Sequence, residues 1–111
     1  MSDCIFCKII AGDIPANKVY EDDQILAFKD IAPKADTHLL VIPKRHITNL
    51  TTAAEEDWPV IHHLLKKLTP IAQEQGAEGF RVITNNGEQG GQEVFHMHWH
   101  ILAGKNLPGF N

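Results

Sequence analysis

The stretch Val94-Phe95-His96-Met97-His98-Trp99-His100-Ile101-Leu102-Ala103 decides how this chain is read. Positions 96, 98 and 100 are histidine, and positions 97, 99 and 101 are large and apolar. Side chains two apart share one face of a strand. Residues 94–103 therefore read as a strand with His96, His98 and His100 in a row on one side. Met97, Trp99 and Ile101 turn into a core on the other. Working outward, His38-Leu39-Leu40-Val41-Ile42-Pro43 is a dense apolar run, expected to be a buried central strand. Residues 80–84 form a further strand. The glycine-rich run Asn85-Asn86-Gly87-Glu88-Gln89-Gly90-Gly91-Gln92 joins it to the histidine stretch. Residues 18–20 and 24–29 flank the acidic turn Glu21-Asp22-Asp23 as a β-hairpin. Residues 30–36 form a loop in which Pro33 biases Ala32 away from helix.

A helix stands between these strands. Thr52 and Glu55 have the spacing of a capping box and are expected to open it. Ile61, Leu64, Leu65, Leu68, Ile71 and Ala72 follow at helical spacing as its buried face, with Lys66, Lys67, Gln73 and Glu74 off that face. Pro59 and Pro70 each delete an intrahelical donor, which predicts a kink or early break near Pro70. Gly76 is the expected stop. His62 and His63 lie mid-helix with no partner pattern and read as surface or groove residues. The order strand, strand, strand, helix, strand, strand lacks βαβ alternation. It predicts an α+β fold, an antiparallel sheet with helices on one face.

A chain of 111 residues has room for one domain, residues 1–111, with a short tail from about residue 104. At 43% hydrophobic and 22% charged it has the balance of an ordinary globular protein. Its longest apolar stretch, residues 39–43, is far short of the ~20 needed to cross a bilayer. Met1-Ser2-Asp3-Cys4 shows no secretory pattern, so a cytoplasmic location and no membrane partner are expected. A net charge of −4 argues against a nucleic-acid partner, which calls for a basic footprint. A small anion remains compatible, because a nest of backbone N–H groups holds one without net positive charge.

Crowded imidazoles disfavour one another's protonation, which leaves neutral rings with acceptor nitrogens. Such nitrogens serve as nucleophiles, proton carriers or metal ligands. A lone strand histidine is usually just half-buried surface, a reading that fits three in a row poorly. Gly90 and Gly91 directly before them let backbone N–H groups approach phosphate oxygens. Cys4 and Cys7, the only cysteines, form C-x-x-C. A redox dithiol, half of a zinc site and two ordinary thiols all remain open at this point.

His96-Met97-His98-Trp99-His100-Ile101-Leu102 resembles the H-φ-H-φ-H-φ-φ motif of the histidine triad family of nucleotide hydrolases and transferases. Cys4-Ile5-Phe6-Cys7-Lys8-Ile9-Ile10, Ile14-Pro15, Tyr20-Glu21-Asp22-Asp23 and Ala27-Phe28-Lys29-Asp30-Ile31 are similar to it in order and spacing. So are His38-Leu39-Leu40-Val41-Ile42-Pro43-Lys44 and Gly90-Gly91-Gln92-Glu93-Val94. The resemblance runs from Cys4 to about Gly104. It favours the short, bacterial-type nucleotide-binding branch over the longer dinucleoside polyphosphate hydrolases.

The resemblance implies a five-stranded antiparallel sheet with one long and one short helix, paired in a dimer as a ten-stranded sheet. It implies His98 as the nucleophile on the α-phosphorus of a purine nucleotide conjugate such as a phosphoramidate, through a covalent nucleotidyl-histidine. His100 would contact the phosphate or leaving group and manage protons, and His38 would orient the triad. Asn85, Gly91, Gln92 and Glu93 match phosphate-proximal positions, and Asp30 matches the carboxylate that grips the ribose. Ile5, Phe6, Ile9, Phe28 and Ile31 match the apolar slot for the base, although composition alone reads them as core. Glu93 stands where some members carry a serine that assists the leaving group. Members with the N-terminal C-x-x-C bind structural zinc through positions matching Cys4, Cys7, His46 and His96. The C-terminal run Asn106-Leu107-Pro108-Gly109-Phe110-Asn111 matches the family poorly, which leaves the leaving group open. Dinucleoside polyphosphate hydrolysis, nucleotidyl transfer, and a nucleotide-binding regulatory module with weak turnover are the competing functions.

Overall fold

In a computed structural model describing residues 3–109, the apolar runs become the middle of a five-stranded antiparallel sheet. Its strands are β1 (Lys18–Glu21), β2 (Ile25–Lys29), β3 (Thr37–Pro43), β4 (Arg81–Ile83) and β5 (Trp99–Ala103). The spatial order is β1-β2-β3-β5-β4, so the strand at 37–43 is central, as its composition predicts. The short helix α1 spans Ile5–Ala11 and the long helix α2 spans Trp58–Glu74. Among the described residues no helix is long and apolar enough to cross a membrane.

The sheet is apolar on both faces, which decides where the helices go. Ile25, Ala27, Leu39, Val41, Ile101 and Ala103 pack with Ile61, Leu64, Leu68 and Ile71 of α2. Leu26, Phe28, Leu40 and Ile42 pack with Phe6 and Ile9 of α1. The helices therefore cover opposite faces, not one. Successive apolar residues in β2 and β3 leave no face for water, since each buried Leu or Ile contributes roughly 1.5–3 kcal/mol.

The long helix departs from its sequence reading at its start. It begins at Trp58 after a 3₁₀ turn, Glu55–Asp57, and Thr52 with Glu55 does not cap it. Asp57 instead accepts the Ala54 N–H at 2.8 Å and also pairs with the Arg45 guanidinium. Thr52 is engaged earlier, exchanging hydrogen bonds with Asn49. Pro59 sits in the first turn, where a missing N–H leaves nothing unsatisfied. Pro70 does not end the helix, which runs on to Glu74 and stops at Gly76, whose φ of 86° only glycine adopts readily. Leu65 is 44% exposed and so is not part of the buried face. His63 has a partner after all: its Nε2 lies 2.8 Å from Asp22 Oδ2, tying α2 to the hairpin turn.

The histidine stretch is a strand only from Trp99. Its neighbour β3 ends at Pro43, which has no N–H to continue the ladder. Residues 94–98 are held otherwise, with the Met97 N–H donating to Ile47 O at 2.6 Å. The expected alternation survives, because Met97 is still buried in the α2-side core.

Candidate active site and metal centre

α1 places the N-terminal donors. Cys4 is its N-cap, extended at φ −81° and ψ 113°, and its sulfur accepts the Cys7 N–H at 3.3 Å. The same turn brings both sulfurs against two rings from elsewhere. Cys4 Sγ lies 3.3 Å from His96 Nδ1, Cys7 Sγ lies 3.3 Å from His46 Nδ1, and the two Nδ1 atoms are 3.1 Å apart. All four donors fall within 4.8 Å of one another. A tetrahedron with zinc–sulfur and zinc–nitrogen bond lengths has edges of about 3.3–3.8 Å, close to these spacings. The His96 ring is oriented for the task, since its Nε2–H donates to Pro43 O at 2.8 Å and leaves the Nδ1 lone pair inward. Burial holds His96 down at about 4, so the ring is neutral at pH 7. Burial and the neighbouring Cys4 push the Cys7 thiol up to about 11. The residues fit a closed, four-ligand metal site.

The other two triad rings face a cleft of about 600 Å³ between α1 and the sheet. Their tautomers follow from their partners. The Lys34 N–H donates to His38 Nδ1 at 3.0 Å, which puts the His38 proton on Nε2. That proton is donated to His100 Nδ1 at 2.9 Å, which puts the His100 proton on Nε2. His98 Nδ1–H donates to the His96 carbonyl at 2.8 Å, which leaves the lone pair on His98 Nε2. Burial first, then His98 and His38, hold His100 down at about 4. Burial also lowers His38, against the pull of Asp30, whose Oδ2 is 3.3 Å from its Nε2. Among the described residues, the cleft thus holds one bare ring nitrogen and one neutral N–H donor on adjacent rings, whose centroids are 5.1 Å apart.

Ile5, Phe6, Ile9, Phe28, Asp30, Ile31, His38, Asn85, Gly91, Glu93, His98 and His100 all line this cleft. Phe6, Ile9 and Phe28 form a buried floor, whereas Ile5 and the 99% exposed Ile31 stand at the rim. Gln92 is the exception, buried behind the cleft. Its Oε1 accepts from Asn49 Nδ2 and the Gly87 N–H, and its Nε2 donates to the Thr48 and Val94 carbonyls. With these bonds made, the side chain braces the glycine loop and has no hydrogen to offer a phosphate. The Gly90, Gly91 and Gln92 N–H groups also close turns on Gly87 and Glu88, so they are not the free nest their composition predicts.

Among the contributors that sequence reasoning missed are Ile83 and Thr84. Ile83 lines the cleft because it pairs with His100 across β4 and β5, a register legible only once the strand order is known. Thr84 Oγ1 donates to the His98 carbonyl at 2.8 Å and fixes that residue's backbone, with no spacing signal to announce it.

Residues 3–110 match the family model described as "Scavenger mRNA decapping enzyme C-term binding". Protein HitA of Neisseria gonorrhoeae is 50% identical over 104 residues, which cover 93% of this chain and 97% of that protein. The structure of a histidine triad protein from Clostridium difficile superposes with a TM-score of 0.93 at 50% identity, covering 100% of this chain and 98% of that one. A HIT family hydrolase from Clostridium thermocellum gives a TM-score of 0.93 at 38% identity, covering 99% and 97%. With these matches spanning the whole fold and the H-M-H-W-H run at its cleft, the chain belongs to the histidine triad family.

Proposed function

We propose that the protein is a hydrolase that binds purine nucleotide conjugates, nucleoside phosphoramidates above all, and cleaves them at the α-phosphorus. The observation that carries this reading is the bare Nε2 of His98, aligned by the His96 carbonyl and next to the Nε2–H of His100. His98 Nε2 forms a bond to phosphorus, and the bond to the leaving group breaks with its electron pair. The leaving atom takes a proton from cleft water while His100 Nε2–H hydrogen-bonds to it or to a phosphoryl oxygen. A second water then attacks phosphorus, frees His98, releases the nucleoside monophosphate and returns the proton. Splitting one displacement into two lowers the barrier of each. A hydrolase as a structural relative supports the reaction class.

His38 is a positioning residue in this scheme. Its Nδ1 faces an amide N–H and cannot take a second proton without losing that bond, so it fixes His100 and carries no proton away. Asp30 grips the ribose hydroxyls, Asn85, Gly91 and Glu93 surround the phosphate, and the base lies on Phe6, Ile9 and Phe28 beneath Ile5 and Ile31. The Gln92 side chain supports the glycine loop from behind. Cys4, Cys7, His46 and His96 hold a structural zinc, which supplies a cross-link and no chemistry. Two copies join sheet edges as a dimer in the cytoplasm; β4 is an edge strand with Val82 37% exposed on it.

Incubation with adenosine phosphoramidate should release AMP and ammonia, faster than a dinucleoside tetraphosphate is cleaved. Binding of AMP with no turnover of either substrate would contradict the enzyme and favour a regulatory module. Metal analysis should find one zinc per chain, lost in a variant with Cys4→Ala and Cys7→Ala. Sedimentation should give twice the chain mass.

A further inference from the structure

The metal centre and the cleft share one helix. α1 carries Cys4 at its N-cap and Cys7 in its first turn. Between them in sequence is Phe6, whose ring meets His98 edge-on at 5.1 Å and His96 at 5.8 Å. Ile5 and Ile9 of the same helix line the cleft. The other two donors belong to the sheet side, His46 after β3 and His96 before β5. An ion held by all four donors therefore ties the cleft wall to the sheet. His96 adds a second link, since its ring is a donor and its carbonyl accepts the His98 Nδ1–H.

A helix of seven residues is well below the length that persists alone. Apart from the metal donors, the fully buried anchors of α1 are Phe6 and Ile9, both of them cleft residues, with Ile10 packed half-buried beside them. Its N-cap bond is made by Cys4 Sγ, itself one of the donors. Whatever orders the donors orders the cleft wall, and whatever fills the cleft packs on that same wall.

We propose that the metal centre and the nucleotide cleft are thermodynamically coupled through α1, so that occupancy of either site tightens binding at the other. The inference rests on reading the cleft as a nucleotide site. Cys4, Cys7 and His46 are then positioning residues for the substrate, acting through Phe6, and His96 acts on His98 through its carbonyl. A ligand shifts an equilibrium only by its differential affinity for the two states, and the coupling is reciprocal. Zinc must tighten AMP binding by the same factor by which AMP tightens zinc binding. About tenfold is expected, within the range usual for linked sites.

The test measures both arms on the full chain. Calorimetry gives the AMP affinity of zinc-loaded and chelator-stripped protein, with far-UV circular dichroism recorded on each. Competition with a chelating dye gives the zinc affinity with and without saturating AMP. The expected result is a tenfold change on both arms with the sheet signal retained, and loss of most of that factor in Phe6→Leu, which still binds zinc. Equal AMP affinity with and without zinc overturns the coupling and leaves the nucleotide reading standing. AMP binding to neither form overturns the nucleotide reading itself. Failure to take up zinc, full coupling in Phe6→Leu, or collapse of the sheet signal on stripping each overturns the route through α1.

Discussion

His38 and His100 belong to the ladder between β3 and β5, where His38 pairs with Leu102 and Leu40 pairs with His100. His96 and His98 precede β5 and have no such frame. The first pair is fixed by strand register and by the Lys34 N–H, and the two rings then hydrogen-bond to each other with Asp30 beside them. The second is fixed by single contacts: a Pro43 carbonyl, a Thr84 hydroxyl, the edge of Phe6 and the four-donor cluster. The rigid pair supplies a donor whose tautomer the fold dictates. In the proposed scheme the pair outside the ladder supplies the nucleophile and stands next to the four-donor cluster.

Breaking the second pair should have the larger effect. His98→Ala should lower kcat by about 10⁴-fold while AMP still binds by calorimetry, since the apolar floor and Asp30 are untouched. Retention of even a tenth of the activity would remove His98 from the chemistry. Gln92→Ala tests the loop beneath the phosphate region. Orphaning the buried partners of that amide should destabilise the protein by about 3 kcal/mol in denaturant titration, with KM changed less than a direct ligand contact would require. A large KM change without loss of stability would return Gln92 to the substrate.

In the rigid pair, His38→Ala should lower kcat by about 10²-fold with KM nearly unchanged, because His100 loses only its orienting donor. His38→Gln presents an N–H at a similar place and should recover most of the loss. No rescue by Gln would mean that His38 handles a proton itself. The smallest effect is on acid stability. His96 and His100 are held at about 4 in the folded chain, below the ordinary histidine value. The unfolded chain therefore binds more protons below about pH 6.5. Their neutral burial is harmless above that pH and destabilises progressively down to about pH 4, by about 1.4 kcal/mol per pH unit for each ring. Denaturant midpoints of metal-free protein between pH 7 and 4 should fall accordingly, and His100→Asn should flatten part of the slope.

Much of this contrast is legible in the sequence, and the rest is hidden for identifiable reasons. The alternation of Met97, Trp99 and Ile101 against the histidines gives the faces correctly, even though Pro43 ends the ladder before His98. The density of residues 38–43 marks the central strand. The successive apolar residues of β2 and β3 are legible too. The order of elements alone, however, points to helices on one face, whereas burial of both sheet faces sends α1 and α2 to opposite sides. Thr52 with Glu55 does not reveal that Asp57, paired with Arg45, accepts the Ala54 N–H and braces the turn before α2. The pairing of His63 with Asp22 spans 41 positions and depends on how α2 crosses the hairpin. Gln92 looks like a phosphate ligand from its place beside Gly91, and only its side-chain bonds show that it faces away.

The nucleophile is the claim on which the scheme depends, and it has a direct assay. The protein should be mixed with adenosine phosphoramidate, quenched in alkali to preserve a phosphorus–nitrogen bond, and examined by intact-mass and peptide mass spectrometry. One adenosine monophosphate adduct per chain on His98, absent from His98→Ala, is the expected result. An adduct on another residue, or undiminished turnover in His98→Ala, would contradict it.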